Sequence, residues 1–250
     1  MLLHGLMAHS GFFEPQRELR HHGFRVVGVD LRGHGESPAG DRPSLEMLAE
    51  DIARLADQLE LEDAIGIGWS LGAAVLWRVL AGPASERFAG AVVIDMTPRV
   101  MNDASWELGL SPETCEARST AIRDDFATFA AGAGQAIFAS PSEQADWAAA
   151  EFARNDPAAM DALWQSLVAQ DFRPLLPSIR QPTLVIHGIR SHLYGSDTAE
   201  HLVAALPNAR AVAFDRSGHA PHLEQPELFN RSLKAFAASL PPVFQPQTTA

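Results

Sequence analysis

Ala64-Ile65-Gly66-Ile67-Gly68-Trp69-Ser70-Leu71-Gly72, followed by Ala73-Ala74-Val75-Leu76-Trp77-Arg78-Val79-Leu80, sets a G-x-S-x-G between a short apolar run and a helix-forming one. The order predicts a strand, a sharp turn and a helix. A serine on such a turn is held in a strained backbone conformation, and side chains at positions 68 and 72 would clash across it. The strain lifts the Ser70 hydroxyl clear of the sheet, and the following helix aims its first N–H groups at the same point. Five residues of this kind match often by chance. The strand-turn-helix context and two further motifs make the reading specific.

The first of these is His4-Gly5-Leu6, which ends the apolar run Met1-Leu2-Leu3. A strand ending in His-Gly places the Leu6 N–H beside the serine turn. With the Leu71 N–H it would make an oxyanion hole, two fixed donors for the charge that develops in acyl transfer. The second is Ser217-Gly218-His219-Ala220-Pro221-His222-Leu223-Glu224-Gln225-Pro226, between the strand-like Ala211-Val212-Ala213-Phe214 and a helix. A neutral His219 on that loop can take the Ser70 proton and later deliver it to the leaving group.

With these motifs the chain resembles the α/β-hydrolase superfamily over about residues 1–240. Two more pieces agree: Val26-Val27-Gly28-Val29-Asp30-Leu31-Arg32-Gly33-His34-Gly35-Glu36-Ser37 is similar to the family's strand 4 and its loop, and Pro182-Thr183-Leu184-Val185-Ile186-His187-Gly188 to its strand 7. The resemblance implies an α/β fold, a mostly parallel sheet with helices on both faces. It also implies serine esterase chemistry on a small-molecule ester, without a cofactor. Lactonase, thioesterase and C–C bond hydrolase chemistry use the same triad, and a non-catalytic ligand-binding member of the fold is an alternative of another class.

Strand-like runs at 1–3, 24–30, 64–67, 90–95, 182–187 and 210–214 alternate with helical ones, as a parallel sheet covered on both faces requires. Leu45, Leu48, Ile52, Leu55 and Leu59 space one apolar face along a helix over 44–59. Between Pro98 and Pro177 the sequence turns Ala-rich and helix-forming. By the resemblance, 99–178 is a helical cap inserted after strand 6, and 1–98 with 179–240 is the core. Residues 241–250 read as a loose tail. The resemblance further implies two antiparallel strands ahead of the His-Gly loop, absent here, so that either the member is shortened or its start lies upstream. Strand 24–30 is then expected at an exposed edge of the sheet.

The triad acid departs from the commonest family pattern. The position three residues after His187-Gly188 is Ser191, which cannot carry the charge that stabilises an imidazolium. Asp95 ends the apolar run Ala91-Val92-Val93-Ile94, next to the nucleophile strand, and some members of the superfamily carry their acid there. On that reading Ser70, Asp95 and His219 form the triad, with Ser191 hydrogen-bonding Asp95 or the His219 ring. Asp197, at a helix start, and Asp215, four residues before His219, are the alternatives. His222 is the alternative base.

A net charge of −12 argues against nucleic acid, which needs a basic face. The single cysteine, Cys115, forms no internal disulfide and points to a reducing compartment. No apolar run is long enough for a membrane span, and a cytoplasmic protein is the expectation. The histidines lack partners at metal-ligand spacing, so no metal is expected. For the substrate pocket the expected walls are Phe12, Phe13 and Trp69 from the core and Phe126, Phe138 and Trp164 from the cap. Arg99, Arg118, Arg123, Arg154 and Arg173 lie in or beside the cap, where surface placement competes with steering of an acidic carrier or a carboxylated substrate.

Overall fold

The computed structural model describes residues 1–241; the tail expected over 241–250 lies outside the described residues from 242 onward. Six strands form one sheet in the order β2-β1-β3-β4-β5-β6, and every neighbouring pair is parallel. They are β1 (Leu2–Leu3), β2 (Gly28–Val29), β3 (Ala64–Trp69), β4 (Phe88–Ile94), β5 (Thr183–Gly188) and β6 (Ala209–Phe214). All six residues of β5 are buried, as are six of seven in β4. Central strands covered on both faces are apolar throughout rather than alternating, as Ala91-Val92-Val93-Ile94 is.

Strand β2 is the edge, as expected, but pairs over two residues rather than the seven of 24–30. Its one sheet neighbour, β1, offers only Leu2 and Leu3, so the ladder has nothing longer to pair with.

The helix α1 (Leu45–Gln58) starts where the Ser44 side chain accepts the Met47 N–H, and it buries Leu45, Leu48 and Ile52. The next, α2 (Leu71–Leu80), begins directly at the serine turn, two residues earlier than the run 73–80. Every side of it but Arg78 is buried, so it is apolar all round instead of along one stripe.

Between β4 and β5 the chain makes four helices, α3 (Pro112–Asp124), α4 (Phe126–Ala136), α5 (Glu143–Phe152) and α6 (Pro157–Val168). Each has a polar N-cap, Ser111, Asp125, Ser142 and Asp156 in turn, accepting the N–H three residues on. These caps divide an Ala-rich stretch that would otherwise read as one long helix. Gly134 lets α4 press against α5: a Cβ there would lie 2.4 Å from the Ala149 backbone. The remaining helices are α7 (Ser196–Ala205), α8 (Pro221–Glu224) and α9 (Pro226–Ser239). The C-terminal ends of β1, β3, β4 and β5 point toward one rim of the sheet, where open parallel sheets bind ligands.

Candidate active site

Ser70 stands between β3 and α2 with φ 52° and ψ −118°, in a region a non-glycine residue enters only under strain. The turn is tight on both sides. A Cβ on Gly68 would lie 2.5 Å from the Gly72 carbonyl oxygen, and one on Gly72 2.2 Å from that of Leu3. The Ser70 N–H donates to Ile94 O at 3.0 Å, which extends the β3–β4 ladder to the end of the strand. By helix geometry the first N–H groups of α2, Leu71 among them, have no acceptor within the helix.

The His4-Gly5-Leu6 loop packs against this turn: a Cβ on Gly5 would lie 3.3 Å from Ser70 Cβ and from Trp69 Cε3. His4 holds the loop. Its Nε2 accepts the Leu31 N–H at 3.0 Å, so the proton must be on Nδ1, which donates to Gly5 O at 2.8 Å. Burial keeps His4 neutral, lowering its pKa well below the usual histidine value. On the other side of the loop, Asn155 donates to Met7 O at 2.7 Å. Met7 itself has φ 66°, so this bond fixes a backbone turn that would otherwise relax.

Asp95 follows β4 with φ 44° and is 3% exposed. Its N–H still donates to Ile186 O at 2.8 Å, but the positive φ swings the carboxylate out toward the loops after β5 and β6. There Oδ2 accepts from His219 Nδ1 at 2.6 Å and from Ser191 Oγ at 2.7 Å, and Oδ1 accepts the Gly188 N–H at 3.4 Å. A carboxylate on Nδ1 places the proton there and leaves Nε2 of the neutral ring free to accept one. Ser191 Oγ in turn accepts the Leu193 N–H at 3.3 Å. Asp197 and Asp215 are both exposed, and neither hydrogen-bonds His219. His222 is buried with neither ring nitrogen partnered, packed against Phe13 and Trp69. Burial lowers its pKa to about 3.

The His219 loop is held from three directions. Trp69 Nε1 donates to His219 O at 2.8 Å. Ala220 N donates to Ile137 O at 3.1 Å. Glu224 accepts the Gly218 N–H and the Ala139 N–H, each at 2.7 Å, so one carboxylate joins the loop to the chain leaving α4. Desolvation raises the Glu224 pKa, against the opposing pull of those N–H groups.

Ser70 and His219 open onto one cavity of about 370 Å³, whose far wall comes from α3, α4 and α6. Trp69 and Trp164 line it as expected. Four expected wall residues do not, and the reading is corrected. Phe12 is fully buried behind Trp69, stacked on it with ring centroids 5.9 Å apart. Phe13 packs on His222. Phe138 is 3% exposed within the segment that receives the His219 loop, between Ile137 and Ala139, and Phe126, in the first turn of α4, packs partly buried against the core. Nearness in sequence to a site residue does not set the direction in which a side chain points. Phe129 and Gly132 from α4, Ile137 just after it, Phe152 at the end of α5 and Tyr194 from the loop after β5 line the cavity as well.

The chain matches the profile of the alpha/beta hydrolase family over residues 1–232. It is 33% identical over 236 residues to a pimeloyl-[acyl-carrier protein] methyl ester esterase of Nitrosomonas europaea, covering 92% of this chain and 91% of that one. To the esterase of the same name from Aromatoleum aromaticum it is 35% identical over 220 residues, 82% of this chain and 84% of the other. Among solved structures, an esterase from Exiguobacterium antarcticum superposes with a TM-score of 0.89 at 24% identity, covering 95% of this chain and 91% of that one. A match of that length, with relatives this similar end to end, makes the chain a member of the α/β-hydrolase family.

Proposed function

We propose that the protein is a carboxylic ester hydrolase in which Ser70 is the nucleophile, His219 the base and Asp95 the triad acid. The observation that carries this reading is the 2.6 Å contact between Asp95 Oδ2 and His219 Nδ1, at the mouth of the cavity that holds the strained Ser70. Nε2 takes the Ser70 proton as Oγ attacks the ester carbonyl. The Leu6 and Leu71 N–H groups hold the oxyanion, and the imidazolium protonates the departing alcohol. Water activated by the same ring then releases the acid from the acyl-enzyme. Residues 99–178 act as the cap over this cavity, and Ser191 steadies Asp95. The relatives' names speak of a methyl ester, and a small alkyl leaving group fits a cavity of about 370 Å³.

Cys115 is free and buried, which suits a cytoplasmic setting, and no helix among the described residues is long and apolar enough to cross a membrane. Hydrolysis of a p-nitrophenyl ester series by the wild type and by Ser70→Ala tests the reading, with fluorophosphonate labelling of Ser70 beside it. Activity and labelling both vanish in the variant on this reading. Equal rates and no labelling would instead mean a silent ligand-binding scaffold.

A further inference from the structure

Five arginines lie within residues 99–178. Four are paired: Arg99 with Asp103 and Asp171, Arg123 with Glu116 and Asp161, Arg154 with Glu151, and Arg173 with Asp171. Arg118, on α3, is the exception among the described residues, having neither a carboxylate nor a hydrogen-bond acceptor. It is also the one of the five that lines the cavity shared by Ser70 and His219. Its guanidinium lies over the Trp164 ring at 5.6 Å, and Trp164 is itself fixed by Nε1 donating to Cys115 O at 3.2 Å. A stacked guanidinium is held in position while its N–H donors stay free for a planar, two-oxygen acceptor.

The surroundings sharpen the case. The cavity walls are mainly apolar, with Trp164, Leu167, Phe129 and Ile137 among them, so a cation there meets little competing water. Tyr194 lines the same cavity; burial pushes its phenol far up, and the Arg118 charge pulls it the other way. Tyr194, the only tyrosine of the chain, therefore stays protonated and offers a neutral O–H donor among the lining residues.

We propose that Arg118 selects esters that bear a carboxylate at the end remote from the scissile bond. This rests on the serine-esterase reading and names the substrate class of that same cavity. The remote carboxylate pairs with the guanidinium while the ester carbonyl reaches Ser70. Such a preference cannot come from the long-range field of the protein, because a net charge of −12 repels anions. It has to be local.

The test uses three p-nitrophenyl esters of equal chain length, ending in carboxylate, methyl or ammonium, with wild type, Arg118→Gln and Arg118→Glu. The wild type should favour the carboxylate ester over the methyl one, mainly through KM. Arg118→Gln should lose about 10- to 100-fold in kcat/KM on the carboxylate ester, the range of a charged hydrogen bond, and stay within about twofold on the methyl ester. Arg118→Glu should turn the preference toward ammonium. Equal losses on all three esters, or no carboxylate preference in the wild type, would overturn the inference while leaving the esterase standing. Calorimetric binding of the carboxylate and methyl-terminated alkyl esters to Ser70→Ala reads the same selectivity without turnover. It therefore decides the question even if the wild type hydrolyses none of the three esters.

Discussion

Ser191 Oγ and Asp95 Oδ2 are 96 residues apart in sequence and 2.7 Å apart in space, on the carboxylate oxygen that also receives His219 Nδ1. On the proposed reading, the serine three residues after His187-Gly188 donates to an acid supplied by the neighbouring strand. Asp95→Asn should therefore lower kcat by about 10²- to 10⁴-fold, as loss of a triad acid does. Ser191→Ala removes the hydrogen bond to Asp95 and the acceptor of the Leu193 N–H, leaves the carboxylate in place and should cost about tenfold at most. Steady-state kinetics on one ester compares the two, and a larger loss in Ser191→Ala than in Asp95→Asn would reverse the roles.

Glu224 gives a second test, away from the chemistry. Its two oxygens take the N–H groups of Gly218 and Ala139 at 2.7 Å each, and Gln at this position has one acceptor for two donors. Glu224→Gln should destabilise by about 1–3 kcal/mol and lower kcat by about tenfold with KM nearly unchanged, because the His219 loop loses its tie to the α4 segment. Denaturant melts and kinetics on the same preparation check both numbers. Wild-type kcat in a measurably destabilised variant would mean that the tie serves stability alone.

Gly132 lies inside α4 with open space where its Cβ would be, and it lines the cavity. Gly132→Ala should raise stability by about 0.5–1 kcal/mol, the cost of a glycine within a helix. Gly132→Leu fills the cavity and should move the preferred acyl chain to shorter lengths. An unchanged chain-length profile in Gly132→Leu would place the acyl group elsewhere.

Acid stability follows from histidines the reaction does not use. Burial lowers His34 to about 4 and His222 to about 3, and takes His4 well below its usual value. All three are neutral in the fold. In the unfolded chain they take up protons once the pH falls below about 6.5, so the unfolded state then binds more protons and stability declines. Each histidine contributes up to about 1.4 kcal/mol per pH unit between about pH 6.5 and its folded value. His222 has no hydrogen bond to lose through its ring, so His222→Phe should flatten the decline by its share. Urea midpoints measured across that range decide it, and a slope equal to the wild type's would show that His222 is not taken up in unfolding.

The sequence was most legible where chemistry constrains the backbone. The glycines at 68 and 72, the His-Gly after β1 and the Ser-Gly-His after β6 each mark a turn that only certain residues can make. The central strands β4 and β5 follow from apolar runs buried on both faces, while β6 is marked by its short apolar run although most of it is exposed or half-buried. Contacts set by tertiary packing were not legible. Asn155 and Met7 stand 148 residues apart, and Glu224 and Ala139 85 apart, with no local pattern to announce either pair. Phe12 and Phe13 follow the His4-Gly5-Leu6 loop in sequence, yet they lie in a 3-10 helix (Ser10–His22) kinked at Phe13, which carries both rings away from the cavity. The shortness of β2 is likewise a property of its partner and not of its own apolar residues.

The His219 loop is fastened to the segment following α4 by Ala220 to Ile137 and by Glu224 to Ala139. A Cβ on Gly218 would lie 2.8 Å from Ala139 N, so the two backbones meet without room for a side chain. The helices between β4 and β5 are therefore not a part that can be exchanged alone. A chimera that takes them from a relative has to bring a matching 217–224 loop, or it exchanges the cavity wall at the expense of the His219 position.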